Sequence, residues 1–282
     1  MAPPALPKQV IEVLASQAMR EHHAIWHYVR DRWHVMSAAE RGRFEAAHWR
    51  PPRLNPNRWP EDVGTTPGRD PGSGLDFLFM HRRMIEQVNA LLAQINDSLY
   101  PRVEGWNPVP WDHSDPEWPM PPNYPDGSPL AKDPTTTTRW RTRVSERYEN
   151  PAWLGTVSLD ELGAEIENGI HNWLHMHWAA DPWFKGLPGQ DENDPRNNYL
   201  GSTYSSHVNP AFWKLHGWID DRIAQWESAT GKPADFSGSW SGPSHMHAMA
   251  KGVSAHHTLL TPVERARSRT FFRNRLATAN AF

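Results

Sequence analysis

Apolar residues recur at intervals of three and four positions in four stretches of the chain, which is the spacing of one face of an α-helix. The predicted helices span 8–36, 76–97, 158–178 and 209–228. The apolar face is most regular in the first helix, at Ile11, Leu14, Ala18, His22, Ile25, Val29 and Trp33, and in the second, at Leu78, Ile85, Val88, Leu92 and Ile95. Four amphipathic helices predict an all-α fold with a four-helix bundle at its core.

Two of these helices begin with recognisable signals. Ser158-Leu-Asp-Glu161 is a capping box, in which the serine and the glutamate satisfy backbone N–H groups of the first turn. Asn209-Pro210 places a preferred N-cap residue before a proline at the first helical position. The third and fourth helices are therefore predicted to start at these two points.

Proline, glycine and tryptophan are concentrated between the helices. Residues 48–75 are predicted to form an ordered loop and 101–157 an irregular region, because repeated prolines exclude a long helix. The irregular region either roofs the bundle as a lid or only packs on it. Residues 232–260 are predicted to be a flexible histidine-containing segment, and 262–277 a short Arg-rich helix that docks on the chain or joins subunits of a homo-oligomer. A chain of 282 residues can bury a substantial core in one domain, so we expect a single domain over 1–282.

Composition excludes several classes of site and partner. The chain has 282 residues, a formal net charge of −3 and no cysteine. Without cysteine there are no disulfides, thiolate metal sites or cysteine nucleophiles. The mixed charges form no broad basic surface, so neither nucleic acid nor an anionic membrane is expected as a partner. No apolar run is long enough to cross a bilayer and no signal-like segment opens the sequence, so we expect a soluble, cytoplasmic protein.

Histidine is the residue type that points to chemistry. His171 and His175 stand four residues apart in the third helix, so both rings lie on one face within reach of a single metal ion. With 16 histidines in the chain, roughly one such pair is expected by chance. His216 supports the pair, because it lies on the apolar side of the fourth helix, where an imidazole needs a partner. Three histidines from two helices make up most of an imidazole-rich metal site.

Three further histidines lie on the first two helices. His81 falls on the apolar face of 76–97 and needs a partner there, which a metal ion would provide. His23 and His27 are four residues apart on a stripe beside the apolar face of the first helix. That stripe is either a solvated, histidine-rich surface or a second pair of metal ligands.

The histidine motif in the second half of the chain resembles that of a known family. His171-Asn-Trp-Leu-His175 is followed by Asn209-Pro-Ala-Phe-Trp-Lys-Leu-His216, with Asp220 four residues later. This pattern is similar to the second-copper signature of type 3 copper proteins, which include tyrosinases, catechol oxidases and hemocyanins. The chain departs from the pattern at Asn209, where the family has Asp, and both residue types cap helices.

The first half resembles one branch of the same family. Bacterial and plant tyrosinases place a loop histidine about nine residues before a Phe-x-x-aromatic-His-Arg motif, whereas here Pro and Gly occupy positions 71–72 before Phe77-Leu-Phe-Met-His81-Arg. Arthropod hemocyanins and phenoloxidases instead use two histidines four apart on one helix and a third from a later helix. His23, His27 and His81 look like that arrangement.

The resemblance implies two copper ions as cofactors, and imidazole is a suitable copper ligand. The implied ligands are two sets of three histidines: His23, His27 and His81, and His171, His175 and His216. The implied partners are dioxygen and a small phenolic substrate. The implied enzyme is a copper oxidoreductase that ortho-hydroxylates phenols as a monooxygenase, oxidises catechols or aminophenol-like rings to quinones, or does both.

The resemblance also assigns catalytic residues. Glu167, one turn before His171, and Asn172 would hold a water near the metals. That pair would help to deprotonate an incoming phenol, the step that separates phenol hydroxylation from diphenol oxidation alone. Glu161 and Glu165 are competitors for the role of the glutamate.

Two further residues would support the ligands. Six neutral imidazoles around two copper ions leave positive charge in a buried site, which neighbouring carboxylates offset while they orient the rings. Asp220 lies one turn after His216 and would serve in this way, and Asn209 would cap the helix that carries both.

Three alternative functions remain open from the sequence. Hemocyanin-like proteins use the same ligands to bind dioxygen or hold copper without turnover. A mononuclear copper oxygenase would need only His171, His175 and His216. A carboxylate-bridged di-iron bundle would need paired Glu-x-x-His motifs, of which the chain offers Glu45-Ala-Ala-His48.

The remaining histidines carry open alternatives as well. His207 either lines a substrate entrance or is a surface histidine. The candidates to replace His23 and His27 are His22, His34 and His48. A copper-acquiring segment or a mobile loop would be formed by His245, His247, His256 and His257.

Overall fold

The computed structural model describes residues 6–53, 71–112, 114–115, 118–123, 134–243 and 259–268. Within these ranges the secondary structure is helical and contains no β-strand, which confirms the all-α class. The α-helices are α1 (Lys8–Ala15), α2 (Gln17–Arg32), α3 (Ala38–Ala46), α4 (Ser73–Ile95), α5 (Pro134–Arg143), α6 (Pro151–Leu154), α7 (Leu159–Ile166), α8 (Asn172–His177), α9 (Pro210–Thr230) and α10 (Pro262–Ser268). No helix in the described part is both long and apolar enough to span a membrane.

The first predicted helix is two helices, because Ser16 interrupts it with extended backbone (φ −59°, ψ 144°). Its hydroxyl donates to the Val13 carbonyl at 2.6 Å and accepts from the Met19 N–H at 3.5 Å. Serine competes for backbone groups in this way, which favours helix ends over helix interiors. The apolar stripe continues across the break, so its periodicity did not reveal it.

Helices α4 and α7 cross at very short range, where two glycines meet. A Cβ atom on Gly163 would lie 2.3 Å from the Gly74 carbonyl oxygen, and one on Gly74 would lie 2.0 Å from the Asp160 carbonyl oxygen. The Asp160 carboxylate also accepts hydrogen bonds from the Gly72, Gly74 and Leu75 N–H groups at 2.9–3.1 Å. This contact brings α4 against the segment that leads into α8.

The prediction that residues 101–157 are irregular is wrong for the last part of this range. Residues 134–148 are helical throughout, with a π-helical turn at Val144–Tyr148 after α5, and α6 follows. Pro134 and Pro151 each open a helix, a position that needs no backbone N–H and suits the fixed φ of proline. The prolines thus mark helix starts there and do not exclude helices.

Residues 101–112 pack on the protein without regular secondary structure. The Trp106 ring lies 4.7 Å from that of Trp178. Gly105 lies so close to α9 that a Cβ atom added to it would be 2.5 Å from the carbonyl carbon of Gly217. The region was predicted either to roof the bundle as a lid or only to pack on it, and the described contacts show packing. In the predicted loop 48–75, residues 54–70 lie outside the described residues and Ser73 already belongs to α4.

The segment after α9 packs against α2 where it is described. Trp240 stacks on Trp26 with ring centroids 6.3 Å apart, and its backbone N–H donates to Asp76 Oδ1 at 2.7 Å. The described part of the segment, residues 232–243, therefore contacts the helices through Trp240, and its predicted flexibility stays a prediction. Residues 244–258, with the four histidines of that segment, lie outside the described residues.

The C-terminal helix α10 docks on its own chain. Arg265 lies 2.9 Å from a carboxylate oxygen of Glu192, and Arg43 donates to Glu264 at 2.5 Å. These contacts fit the intrachain docking that was one of the two predictions for the Arg-rich helix. The part of that predicted helix beyond residue 268 lies outside the described residues.

Candidate metal centre

The structure brings all six predicted histidine ligands into one cluster. Each is at most 2% exposed. They come from four places in the fold, namely α2 (His23, His27), α4 (His81), the π-helical turn with α8 (His171, His175) and α9 (His216). Neighbouring ring centroids lie 4.4 to 6.0 Å apart. We call these six residues the histidine cluster.

Four rings of the cluster are oriented by backbone carbonyl groups. The Nδ1 atoms contact carbonyl oxygens at 2.6–2.9 Å: His23 with Thr203, His81 with Phe77, His175 with Leu200, and His216 with Phe212. Since a carbonyl only accepts, Nδ1 must carry the proton, and Nε2 keeps its lone pair. Such a hydrogen bond on the far nitrogen is how proteins set the tautomer of a metal-binding histidine.

Several Nε2 atoms call for a cation. The Nε2 atoms of His23 and His81 are buried without a hydrogen-bond partner among the described residues. Those of His171 and His216 face each other at 3.2 Å. Two imidazole nitrogens that bind the same ion, each at about 2.0–2.1 Å, would lie roughly 3 Å apart. Buried lone pairs without donors are rare in proteins, so the cluster fits a metal ion.

The ligand atoms fall into two groups in which all distances are below 4.8 Å. The first triad is His23, His27 and His81, as predicted, and the mixed triad is His81, His171 and His216. His81 belongs to both, because its ring stacks on that of His216 at 4.4 Å. His175, the predicted third ligand of the second copper, lies beside the mixed triad, 4.5 Å from His171 and 5.5 Å from His216 between ring centroids.

Five rings of the cluster are kept neutral by their surroundings. Burial lowers the pKa of His81 and of His175 to about 3. Burial, followed by repulsion from neighbouring imidazoles, lowers the pKa of His23, His27 and His216 well below the usual value. Protons therefore compete weakly with a metal for these nitrogens near neutral pH.

Glu167, the predicted catalytic glutamate, is fully buried and forms an ion pair with Arg30. The two terminal guanidinium nitrogens of Arg30, Nη1 and Nη2, donate to the two Glu167 carboxylate oxygens at 2.9 and 3.3 Å. Arg30 also donates to the Ser73 carbonyl at 2.9 Å and lies over the Trp26 ring at 4.1 Å. The pair thus ties α2, α4 and the π-helical turn together, a role that the sequence did not reveal for either residue.

The two competitors of Glu167 are bound elsewhere. Glu161 accepts from the Ser158 N–H at 2.8 Å, which confirms the predicted capping box. Glu165 pairs with Arg147 at 3.0 Å. Neither carboxylate is directed to the cluster by these contacts.

Asn172, the predicted companion of Glu167, is fully buried next to His171. Neither the nitrogen nor the oxygen of its side-chain amide has a hydrogen-bond partner among the described residues. A buried amide in this state needs a water or a ligand. It is a polar group beside the cluster that can still make such a contact.

The predicted supporting residues have different surroundings. The Asp220 carboxylate accepts from Arg82 at 2.7 Å and is 31% exposed, and none of the described histidines forms a hydrogen bond with it. The His216 ring is fixed by its own helix instead. Asn209 caps α9 as predicted, because its side chain accepts from the Ala211 N–H at 3.0 Å.

The remaining described histidines lie outside both triads. His207 is fully buried, contacts the Leu14 carbonyl at 3.0 Å through Nε2 and packs edge-on against His23 at 5.0 Å, so it is not a surface histidine. His22 contacts the Ser241 carbonyl at 3.0 Å. His34 is half-buried and His48 is exposed. The replacements for His23 and His27 are therefore not required.

Comparison with known proteins gives no family. The chain matches none of the protein-family models, and no curated protein matches it either. The function must therefore be inferred from the histidine cluster and its surroundings.

Proposed function

We propose that the chain is a binuclear copper oxidoreductase of the type 3 kind, which uses dioxygen to oxidise catechols or aminophenol-like rings. The observation that carries the proposal is the convergence of six buried histidines from four parts of the fold. Both triads consist of histidine alone, a ligand set that suits copper and not a carboxylate-bridged di-iron site. Glu45 and His48 are both exposed, which also speaks against the di-iron alternative.

Two bound copper ions would couple oxidation of the ring to reduction of dioxygen, so that two catechols become two quinones while one dioxygen becomes two waters. The protein's own contribution is to hold the imidazoles in one tautomer and to exclude water. Backbone carbonyls do the first. Aromatic rings do the second, since Phe212 stacks on His216 at 3.7 Å and Phe77 packs on His81 at 4.6 Å.

The surroundings of Glu167 favour diphenol-like substrates within this proposal. A carboxylate that binds both nitrogens of Arg30 is already engaged, so it is less suited to positioning a water that deprotonates a phenol. Catechols and aminophenols need no new ring oxygen for oxidation. We therefore place hydroxylation of simple phenols second, with the Asn172 amide as the group that binds a ring hydroxyl.

One observation favours a second candidate, a mononuclear copper oxygenase. His81 stands in both triads, and its single available nitrogen cannot bind two ions at once. If the ion of the mixed triad retained His81, the first triad would keep only two imidazoles. The number of copper ions per chain separates the two candidates.

The test is oxygen consumption by the copper-loaded protein with a catechol, an o-aminophenol and a monophenol. We expect uptake with the first two, and His216→Ala should reduce it by about 100-fold or more because a ligand is lost. The matched control is His48→Asn, since this exposed residue has φ 62° and asparagine tolerates that backbone. Absence of uptake with every ring at full copper loading, or equal uptake by His216→Ala, would overturn the proposal.

A further inference from the structure

The two triads share a ligand, and this sharing implies an order of metal loading. His81 is held by its Nδ1 contact to the Phe77 carbonyl at 2.9 Å, so it offers a metal only Nε2. His81 lies within 4.8 Å of the other members of both triads, measured between ligand atoms. A single nitrogen lone pair binds one ion, so both triads cannot be filled in this arrangement.

The distances from the His81 ring to its neighbours favour the mixed triad over the first triad. The His81 ring is 4.4 Å from His216, with nearly parallel planes, but 5.8 Å from His27 and 6.0 Å from His23. The His216 and His171 nitrogens are already 3.2 Å apart, the separation expected for two ligands of one ion. The mixed triad is therefore the better preformed site for one ion.

A replacement ligand stands next to the mixed triad. The His175 ring lies 4.5 Å from His171, and its Nδ1 contacts the Leu200 carbonyl at 2.8 Å, which leaves Nε2 as its metal-binding atom. If His81 turns to an ion bound by His23 and His27, His175 can complete the other site. The cluster then offers three imidazoles to each of two ions.

We propose that a single metal ion binds first to His81, His171 and His216, and that the second ion takes His81 over while His175 replaces it. This inference rests on the proposed function only in assigning metal ions to the cluster. It defines a one-ion site that combines one ligand of the first predicted copper set, His81, with two of the second, His171 and His216. Because two cations then share a buried site, the second ion binds more weakly than the first.

Zn²⁺ added to the metal-free full chain tests the order without redox chemistry. The affinity of the chain for the first equivalent of Zn²⁺ is measured by competition with a chromogenic chelator. His81→Ala should weaken binding of the first equivalent by about 100-fold or more. Loss of a residue that only hydrogen-bonds to a ligand already lowers metal affinity by about 10–100-fold. His175→Ala and His23→Ala should leave the affinity for the first equivalent nearly unchanged and weaken binding of the second.

A measurement on the unsubstituted chain guards against variants that do not fold. Ring ¹⁵N signals of the histidines are followed by NMR as Zn²⁺ is added below one equivalent. The Nε2 signals of His81, His171 and His216 should shift first, and those of His23 and His27 only with the second equivalent. First shifts at His23 and His27, or at His175, would overturn the order of loading.

The outcomes separate this inference from the proposed function. If His175→Ala and not His81→Ala weakens the first equivalent while the copper form still oxidises catechols, the order of loading is wrong and the proposed function stands. If the predicted order is found but the fully copper-loaded chain oxidises no ring, the shared ligand stands and the proposed function fails.

Discussion

At the scale of single residues, two copper-ligand candidates are held by the same local device. His81 and His216 each give their Nδ1–H to the carbonyl four residues earlier in their helix, and that residue is phenylalanine in both cases. The Phe77 and Phe212 rings also pack on the histidines that their carbonyls fix. The repeated Phe-x-x-x-His spacing is visible in the sequence and could have identified both rings as fixed ligands.

Burial of the imidazoles makes the metal-free protein sensitive to acid. The pKa of His81 and His175 is about 3 in the folded chain, against about 6.5 when unfolded. Between these values the unfolded chain binds more protons, so stability is full above about pH 6.5 and falls as the pH drops toward 3. Each such ring can remove up to about 1.4 kcal/mol per pH unit. Urea midpoints of the metal-free protein should therefore decline from pH 7 to 5, and a constant midpoint would contradict these buried neutral rings.

The Arg30–Glu167 pair gives a second prediction at this scale. Arg30→Met would leave the carboxylate buried without its partner, which should lower the free energy of unfolding by about 3–5 kcal/mol. The double variant Arg30→Met with Glu167→Leu should recover much of that loss, because no charge stays unpaired. The control is Arg83→Ala, whose pair with Glu86 is exposed on both sides and should contribute less than about 0.5 kcal/mol. Equal denaturant midpoints for Arg30→Met and Arg83→Ala would be evidence against a structural role for the pair.

At the scale of elements, periodicity and caps predicted the helices that carry the histidines. The Ser158 capping box and the Asn209 N-cap are both present, and α4 and α9 lie where the apolar spacing placed them. The break at Ser16 was missed because the apolar stripe continues through it. The α5 helix was missed because proline was interpreted as a breaker, although Pro134 stands at a helix start.

Contacts between elements were not predictable from periodicity. The approach of α4 to α7 depends on Gly74 and Gly163, and helical periodicity says nothing about which backbone another helix meets. The shared position of His81 likewise depends on how α4 crosses α9. The Arg30–Glu167 pair joins residues 137 positions apart, a distance over which one sequence alone gives no pairing signal.

The close contact between Gly74 and Gly163 can be tested by adding one methyl group at Gly163. Gly163→Ala would place a Cβ 2.3 Å from the Gly74 carbonyl oxygen, so α4 and α7 must separate, with a loss of about 3 kcal/mol in the free energy of unfolding. The control is Gly42→Ala in α3, where an added Cβ meets nothing within 4 Å and should stabilise the helix by about 0.5–1 kcal/mol. Chemical denaturation of both variants decides, and a neutral Gly163→Ala would show that this close approach is not required.

At the scale of the whole molecule, the fold converges on the histidine cluster. Three tryptophans among the largest fully buried side chains, Trp26, Trp106 and Trp173, come from α2, the irregular stretch and α8, and they pack the core around the ligand-bearing helices. The sequence predicted the all-α class, and it selected the six histidines whose rings lie together in the cluster. The arrangement of helices around the cluster depends on packing and backbone contacts far apart in the chain.

The most direct test of the central claim is the copper content of the purified chain after loading and dialysis, combined with its EPR spectrum. The binuclear account predicts two copper ions per chain and little Cu(II) signal in the oxidised form, because two adjacent Cu(II) ions couple their spins. His216→Ala should lower the content and expose the signal of an isolated Cu(II). One copper per chain in the unsubstituted protein, with a full-intensity Cu(II) signal, would contradict the binuclear account.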